Sequence, residues 1–371
     1  MAHESTMNGE HQHPLTNAVL RWATPFVASL TLLAACGSSS AENSLGSEAL
    51  PAASVTTSRN PSISIVPKNN DHAPTVYLQV GDSPSSSVTN ARYNLAFALP
   101  KKDVGIQPPN TAGLSSVLDG GHVGLSVGGW GADDKQHEAI LKGWSAGLNK
   151  PQAFAQSITD TANSLHAETI DLDFEQPTLD QKLPLLGLVR TLRAMNPNRK
   201  ITMAVPAFDR DAYALGKGEL PAVVDRFNVM TYDYYGPWSE QAGPVADGKT
   251  TLRAIDEWVA VVGDERKISP GFPTYGYVFG GSKRAGEVRT PSTGTVESIP
   301  YTDIVARASN IQDDPNALTS TASLKGSYVS FLSPHMVDLT YRAIVTKYPL
   351  IGDAFFWDAQ GFNDDYQNAV S

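Results

Sequence analysis

The sequence predicts an α/β fold, a (β/α)8 barrel, on three observations. From about Ala73 onward, short apolar runs alternate with amphipathic stretches. Eight runs of strand type fit into the remaining chain, the number a closed barrel needs. Runs such as Ile201-Thr202-Met203-Ala204-Val205 lack strict polar alternation, as expected of strands covered on both faces. The candidate strands are Thr75–Val80, Arg92–Ala98, His122–Val127, Thr169–Phe174, Lys200–Val205, Arg226–Tyr232, Lys267–Phe272 and Asp353–Trp357. Helices are expected between them. Pro151–Leu165 and Lys182–Met195 carry apolar residues at helical spacing, and Thr251–Val262 places Leu252, Ile255, Trp258 and Val259 on one face. The last helix begins at Ser333-Pro334, a cap followed by proline at the first helical position, and stops at Tyr348-Pro349. Periodicity alone does not separate eight units from seven or nine, and a doubly wound open sheet is the alternative architecture.

Composition narrows the function. Of the 371 residues 41% are hydrophobic and 18% charged, ordinary for a chain with a large core. The net charge is -10 and no run of Lys and Arg stands out, which disfavours nucleic acid and anionic membranes as partners and favours a neutral substrate. The single cysteine, Cys36, excludes an internal disulfide. It ends an apolar stretch, Trp22 to Ala35, that follows Arg21. The stretch is short for a bilayer span but suits the apolar region of an export signal. Residues 1–36 therefore read as a signal segment, with the true start at Met7 or later because the first twenty residues are long and polar. Residues 37–72, rich in Ser, Ala, Asn and Pro, read as a flexible tether. Residues 73–371 form the barrel.

Asp171-Leu172-Asp173-Phe174-Glu175 carries the chemistry. On a strand, Asp171, Asp173 and Glu175 share one face at roughly 6.5–7 Å per two residues. Leu172 and Phe174, continued by Ile170, take the other face. Three carboxylates in a row repel one another, so the pattern points to acid–base work. A solvated acidic strand end and a calcium loop are the bland alternatives. A calcium loop wants a glycine turn and irregular spacing, whereas apolar residues alternate with the acids here. In a (β/α)8 barrel the site sits at the C-terminal ends of the strands, so Glu175 would lie at the mouth, Asp173 one layer deeper and Asp171 below. The lower acids should raise the affinity of Glu175 for its proton, leaving it able to donate near neutral pH. Glycoside hydrolysis usually uses a second, facing carboxylate. Asp233 and Asp358 follow strands six and eight, but each is a lone acid among aromatics. This favours a route in which a 2-acetamido oxygen of the substrate is the nucleophile. The eight histidines show no metal-ligand spacing, Ser126 has no His–Asp partners, and no phosphate-binding glycine loop is present, so no metal and no cofactor is expected. Tyr234 and Trp238 fit barrel-rim packing as well as a ligand role, Gly128-Gly129 fits a tight turn as well as a ligand contact, and His122 and His166 read as packing or surface residues.

Glu168 to Glu175 resembles the strand-four signature of family-18 chitinases, Asp-x-x-Asp-x-Asp-x-Glu. Further stretches agree in chain order: Ala96-Phe97-Ala98 on strand two, Leu125-Ser126-Val127-Gly128-Gly129-Trp130 on strand three, Met230-Thr231-Tyr232-Asp233 on strand six, Gly271-Phe272-Pro273-Thr274-Tyr275-Gly276 on strand seven and Phe355-Phe356-Trp357 on strand eight. The resemblance implies Glu175 as general acid and then base, and Asp173 as the group that holds the acetamido N–H. It implies that Asp171 shares a proton with Asp173 and that Tyr232 donates to the acetamido carbonyl. Asp233 and Met230 would shape the pocket with Trp130, Tyr235 and Tyr275, and Trp357 would stack under the sugar. Two departures stand out: Glu168-Thr169 replaces Asp-Gly, and Tyr277 stands where an Arg often follows strand seven. The loop from Gly276 to Pro300 is short, so the barrel is expected to lack a large inserted α+β domain and to have an open cleft. Leu33-Ala34-Ala35-Cys36 likewise resembles a lipobox, which implies lipidation at Cys36.

The implied activity is retaining hydrolysis of β-1,4-linked N-acetylglucosamine polymers by an exported, monomeric protein of the cell envelope, in contact with a membrane only through its lipid. An endo-β-N-acetylglucosaminidase acting on glycans or peptidoglycan, and a non-catalytic sugar-binding protein, are the alternatives.

Overall fold

A computed structural model of the chain describes residues 73–79, 82, 91–120, 122–175, 177–289 and 295–371. The signal segment, Cys36 and the tether lie outside the described residues. The first seven strands are β1 (Thr75–Leu78), β2 (Arg92–Pro100), β3 (Ile106–Gln107), β4 (Val123–Gly128), β5 (Thr169–Asp173), β6 (Lys200–Pro206) and β7 (Arg226–Met230). There follow β8 (Ile268–Pro273), β9 (Tyr275–Phe279), β10 (Val296–Pro300), β11 (Ser309–Asp314), β12 (Thr319–Leu324), β13 (Ser327–Phe331) and β14 (Phe355–Trp357). The helices are α1 (Ser115–Asp119), α2 (Asp134–Leu148), α3 (Pro151–Ser164), α4 (Lys182–Met195) and α5 (Arg210–Leu215). After them come α6 (Leu220–Val223), α7 (Gly248–Val262), α8 (Tyr301–Arg307), α9 (Pro334–Lys347) and α10 (Asp364–Val370).

Eight parallel strands close on themselves in the order β1-β14-β8-β7-β6-β5-β4-β2, with β2 pairing back to β1. These are the eight runs the sequence marks, in the same order, so the open sheet is excluded. The outward row of β5 shows why it is a strand here: Ile170, Leu172 and the following Phe174 are buried, and Phe174 stacks on Trp144 of α2 at 4.8 Å. Each such side chain removed from water contributes about 1.5–3 kcal/mol. Helix ends follow their caps. The Asp133 carboxylate accepts from Gln136 N at 2.7 Å to start α2, Asp247 accepts from Thr250 N at 2.8 Å to start α7, and Gly263 ends α7 in the left-handed region at φ 78°. Ser333 and Pro334 open α9 as expected, but α9 is not the last helix, because Asn363 caps α10.

The segment after the seventh barrel strand, β8, corrects one expectation. Between Tyr275 and Phe331 the chain builds a five-stranded antiparallel sheet, β10-β9-β13-β12-β11, with α8 beside it. A compact insertion therefore stands where a short open loop was expected. Its core is small: Val278, Ile299, Ile304, Ala322, Leu324, Val329 and Phe331. The sequence signal is weak for a physical reason. β12 buries Ser320, Ala322 and Leu324 in alternation and β11 (SNIQDD) is exposed throughout, so these outer strands carry no apolar run, whereas β9 and β13 are almost wholly buried.

Candidate active site

The acid row sits on β5 as the alternation requires. Asp171 is fully buried, Asp173 nearly so, and Glu175 lies partly exposed just past the strand end. Parallel register sets Ser126, Asp171 and Thr202 side by side on β4, β5 and β6. Asp171 accepts four hydrogen bonds as a result. Tyr77 Oη and Ser126 Oγ each donate to its Oδ2 at 2.8 Å, while Thr202 Oγ1 at 2.5 Å and Asn228 Nδ2 at 3.1 Å donate to its Oδ1. Burial raises its pKa above the ordinary carboxylate value, and the four donors oppose that rise. They also fill its acceptor positions, so sharing a proton with Asp173 requires one donor to turn away.

Asp173 is in the opposite position. Its Oδ1 is buried and has no hydrogen-bond partner. Burial, then the charges of Glu175 and Asp171, push its pKa well above the ordinary value. At the mouth, burial and then the Asp233 charge raise the pKa of Glu175 to about 8. Asp233 follows β7 with φ at 59°, a left-handed conformation that Asp tolerates better than most residues. Its Oδ1 accepts from Tyr275 Oη at 2.5 Å and Tyr277 Oη at 3.1 Å, and burial still raises its pKa to about 6. The Tyr232 hydroxyl keeps its proton: burial, then the charges of Asp173, Asp233, Glu175 and Asp171, raise its pKa well above the usual phenol value. A neutral donor, an acid protonated at neutral pH and an unpaired carboxylate oxygen thus gather at one end of the barrel.

Aromatic rings line the same end. Trp357, half-buried at the end of β14, stacks on Phe97 at 5.5 Å and tilts against Tyr77 at 5.5 Å, with Met230 packed into the same cluster. Gly128 and Gly129 are required by their surroundings. A Cβ on Gly128 would lie 2.0 Å from Asp173 O, and one on Gly129 would lie 2.3 Å from the Phe97 ring. Trp130 stacks on His137, whose Nδ1 lies 2.6 Å from the Trp130 carbonyl oxygen. Tyr234 turns toward α7, with its hydroxyl 3.3 Å from Thr251 Oγ1, so its role is packing. Tyr235 packs over Gly243, and Trp238 meets Tyr277 edge to face at 6.1 Å. Asp358 is engaged at the rim by Gln79 Nε2 at 2.8 Å. At the opposite end of β5, Glu168 is exposed and paired with His122 at 3.4 Å, so the departure from the signature lies at the far end of the strand from Glu175. His166 is exposed.

The structure brings Asp171, Asp173, Glu175, Tyr232, Asp233, Tyr275, Met230 and Trp357 into one site. Sequence reasoning missed the cradle of Asp171, namely Tyr77, Thr202 and Asn228. It set Ser126 aside as a nucleophile without seeing it as a donor. A polar residue facing inward on an otherwise apolar strand, as Thr202 and Asn228 do, was the available signal. Among the described residues no group of three or more His, Cys, Asp or Glu is arranged to hold a metal ion, and no helix is long and apolar enough to cross a membrane.

Comparison with known proteins agrees with this geometry. The family described as glycosyl hydrolases family 18 matches residues 56–361. The chain belongs to glycosyl hydrolase family 18. It is 34% identical over 134 residues to sporulation-specific chitinase 2 of Saccharomyces cerevisiae, covering 32% of this chain and 25% of that one. It is 27% identical over 256 residues to chitinase C of Streptomyces lividans, covering 59% of this chain and 40% of that one. Both relatives are thus matched over less than half of their own length. The class V chitinase of Nicotiana tobaccum shares the fold with a TM-score of 0.66 at 19% identity, over 81% of this chain and 99% of that one.

Proposed function

We propose that this family-18 chain hydrolyses β-1,4-linked N-acetylglucosamine polymers with retention, the substrate's own acetamido group acting as nucleophile. Glu175 protonates the glycosidic oxygen while the acetamido oxygen attacks the anomeric carbon, giving an oxazolinium ion. Asp173 accepts the acetamido N–H on its unpartnered oxygen, and Tyr232 donates to the acetamido carbonyl. Glu175, now ionised, takes a proton from water as that water opens the oxazolinium. Trp357 packs under the sugar at the cleavage point. The observation that carries this reading is the bare Oδ1 of Asp173 beside a high-pKa Glu175. Asp233 and Asp358 are each bound by neighbouring side chains, which argues against either as a free protein nucleophile. The relatives named as chitinases, and a structure of the tobacco enzyme holding NAG4, support the substrate class.

The test is product analysis on chitotetraose and on a high-mannose glycopeptide, with wild type and Glu175→Gln. Release of chitobiose is the expected outcome. Cleavage of the glycopeptide alone would instead support a glycan endoglycosidase, and binding without cleavage a sugar-binding protein. Glu175→Gln should lower turnover at least about 10²–10⁴-fold while retaining oligosaccharide binding. A variant that keeps most of its activity overturns the assignment.

A further inference from the structure

The floor of the barrel, at the opposite end from the acid row, carries a concentration of positive charge that the carboxylates around it offset only in part. Three barrel strands begin with a cation: Arg92 on β2, Lys200 on β6 and Arg226 on β7. Closure of the barrel brings all three to one end. Both guanidinium groups lean on one carboxylate, Asp353 Oδ2, at 3.1 Å from Arg92 and 3.3 Å from Arg226. The Lys200 ammonium has no hydrogen-bond or ion-pair partner among the described residues, whereas its backbone N–H donates to Glu168 O at 3.1 Å. Burial and the two arginines lower its pKa, with Asp353 and Asp225 only partly compensating. Of the other acids at this end, Asp225 pairs with Arg193 and accepts from Ile201 N at 2.7 Å, while Glu168 meets only the His122 ring and offsets part of the charge.

The same residues line a cavity of about 200 Å³. Arg92, Lys200 and Arg226 bring positive charge to its lining, Glu168 and Asp225 offset part of that charge, and Asn94, Thr202 and Asn228 form the inner wall, the last two with their donors turned to Asp171. Gly124 keeps that wall open, because a Cβ there would come within 2.1 Å of Asn94 Oδ1. A second cavity of about 580 Å³, lined by Arg92, Arg199 and Lys200 among others, opens beside it. Arg92 and Arg226 share Asp353, Lys200 stands beside them and Arg199 lines the adjoining cavity, so with Glu168 and Asp225 offsetting only part of the charge an anion would relieve the repulsion among these cations.

We propose that this floor cavity binds a small tetrahedral oxyanion of the phosphate class, held by Lys200, Arg92 and Arg226. The adjoining cavity has room for the organic part of a phosphomonoester. The site is independent of the sugar site at the mouth, and its position beneath Thr202 and Asn228, two of the donors to Asp171, sets it directly below the acid row.

The test is calorimetric titration of the full chain with inorganic phosphate near pH 7, with chloride at equal ionic strength as the comparison. Glycerol phosphate forms a second arm. Saturable phosphate binding that chloride does not reproduce is expected. Lys200→Gln should weaken it about tenfold, Lys200→Arg should restore it, and Lys142→Gln on α2 should leave it unchanged. Binding of both ligands supports an ester site; binding of phosphate alone confines the ligand to the free ion. No saturable phosphate binding, or full binding by a folded Lys200→Gln variant, overturns the proposal. Loss of structure in Lys200→Gln would be seen by circular dichroism, and Lys200→Arg then carries the test.

Discussion

The deep and outer ends of a single strand, β5, hold carboxylates in opposite circumstances. Asp171 is enclosed by four donors from four other barrel strands, whereas Asp173, two residues on, has a buried oxygen that accepts no hydrogen bond. One acid is satisfied by the fold and holds the barrel's interior together. The other is left unsatisfied, and its deficit is available to whatever enters the mouth. Stability and reactivity are thus separated along about one strand repeat.

The widest test of that contrast is a pair of truncations. Asp171→Ala strands buried donors and should cost about 3 kcal/mol or more in denaturant unfolding, whereas Asp173→Ala should be neutral or stabilising, since it removes an unpaired buried acid. Equal losses would abolish the distinction. Next comes pH. Glu175 binds its proton up to about 8, well above its ordinary value of 4.5, so hydrolysis should fall as pH rises through about 8. The same raised value means that its contribution to stability is complete below 4.5 and is lost as pH rises through about 8. Glu175→Gln should therefore match wild type in melting temperature near pH 4 and exceed it near pH 9; a variant less stable at pH 9 would contradict the burial of that charge. The smallest effect is expected at Tyr277, one of two donors to Asp233. Tyr277→Phe should leave Asp233 holding its proton to higher pH, moving the acid side of the activity profile upward by less than about one unit. A shift downward would show that Tyr277 does not stabilise the ionised form.

The barrel was legible because its signal is long-range and redundant: buried parallel strands are apolar on both faces, and eight of them recur in order. The acid row was legible because alternation alone puts Asp171, Asp173 and Glu175 on one face. The cradle of Asp171 was not, since it joins Tyr77, Ser126, Thr202 and Asn228 from distant parts of the chain, and single polar residues in strands carry no statement of what they face. The inserted sheet was missed because its outer strands β11 and β12 carry no apolar run and its apolar core is scattered over β9, β10, β12, β13 and α8. The floor cluster was hidden for the same reason as the cradle: three cations far apart in sequence become neighbours only on closure.

Tyr275 and Tyr277 lie on β9, the first strand of the inserted sheet, and both reach back to Asp233. The added layer is therefore fastened to an acid at the barrel mouth and cannot be exchanged as an independent module. Grafting a different wall onto this barrel would alter the proton affinity at its mouth along with the shape of the groove, so a replacement insertion would bring its own pH behaviour with it.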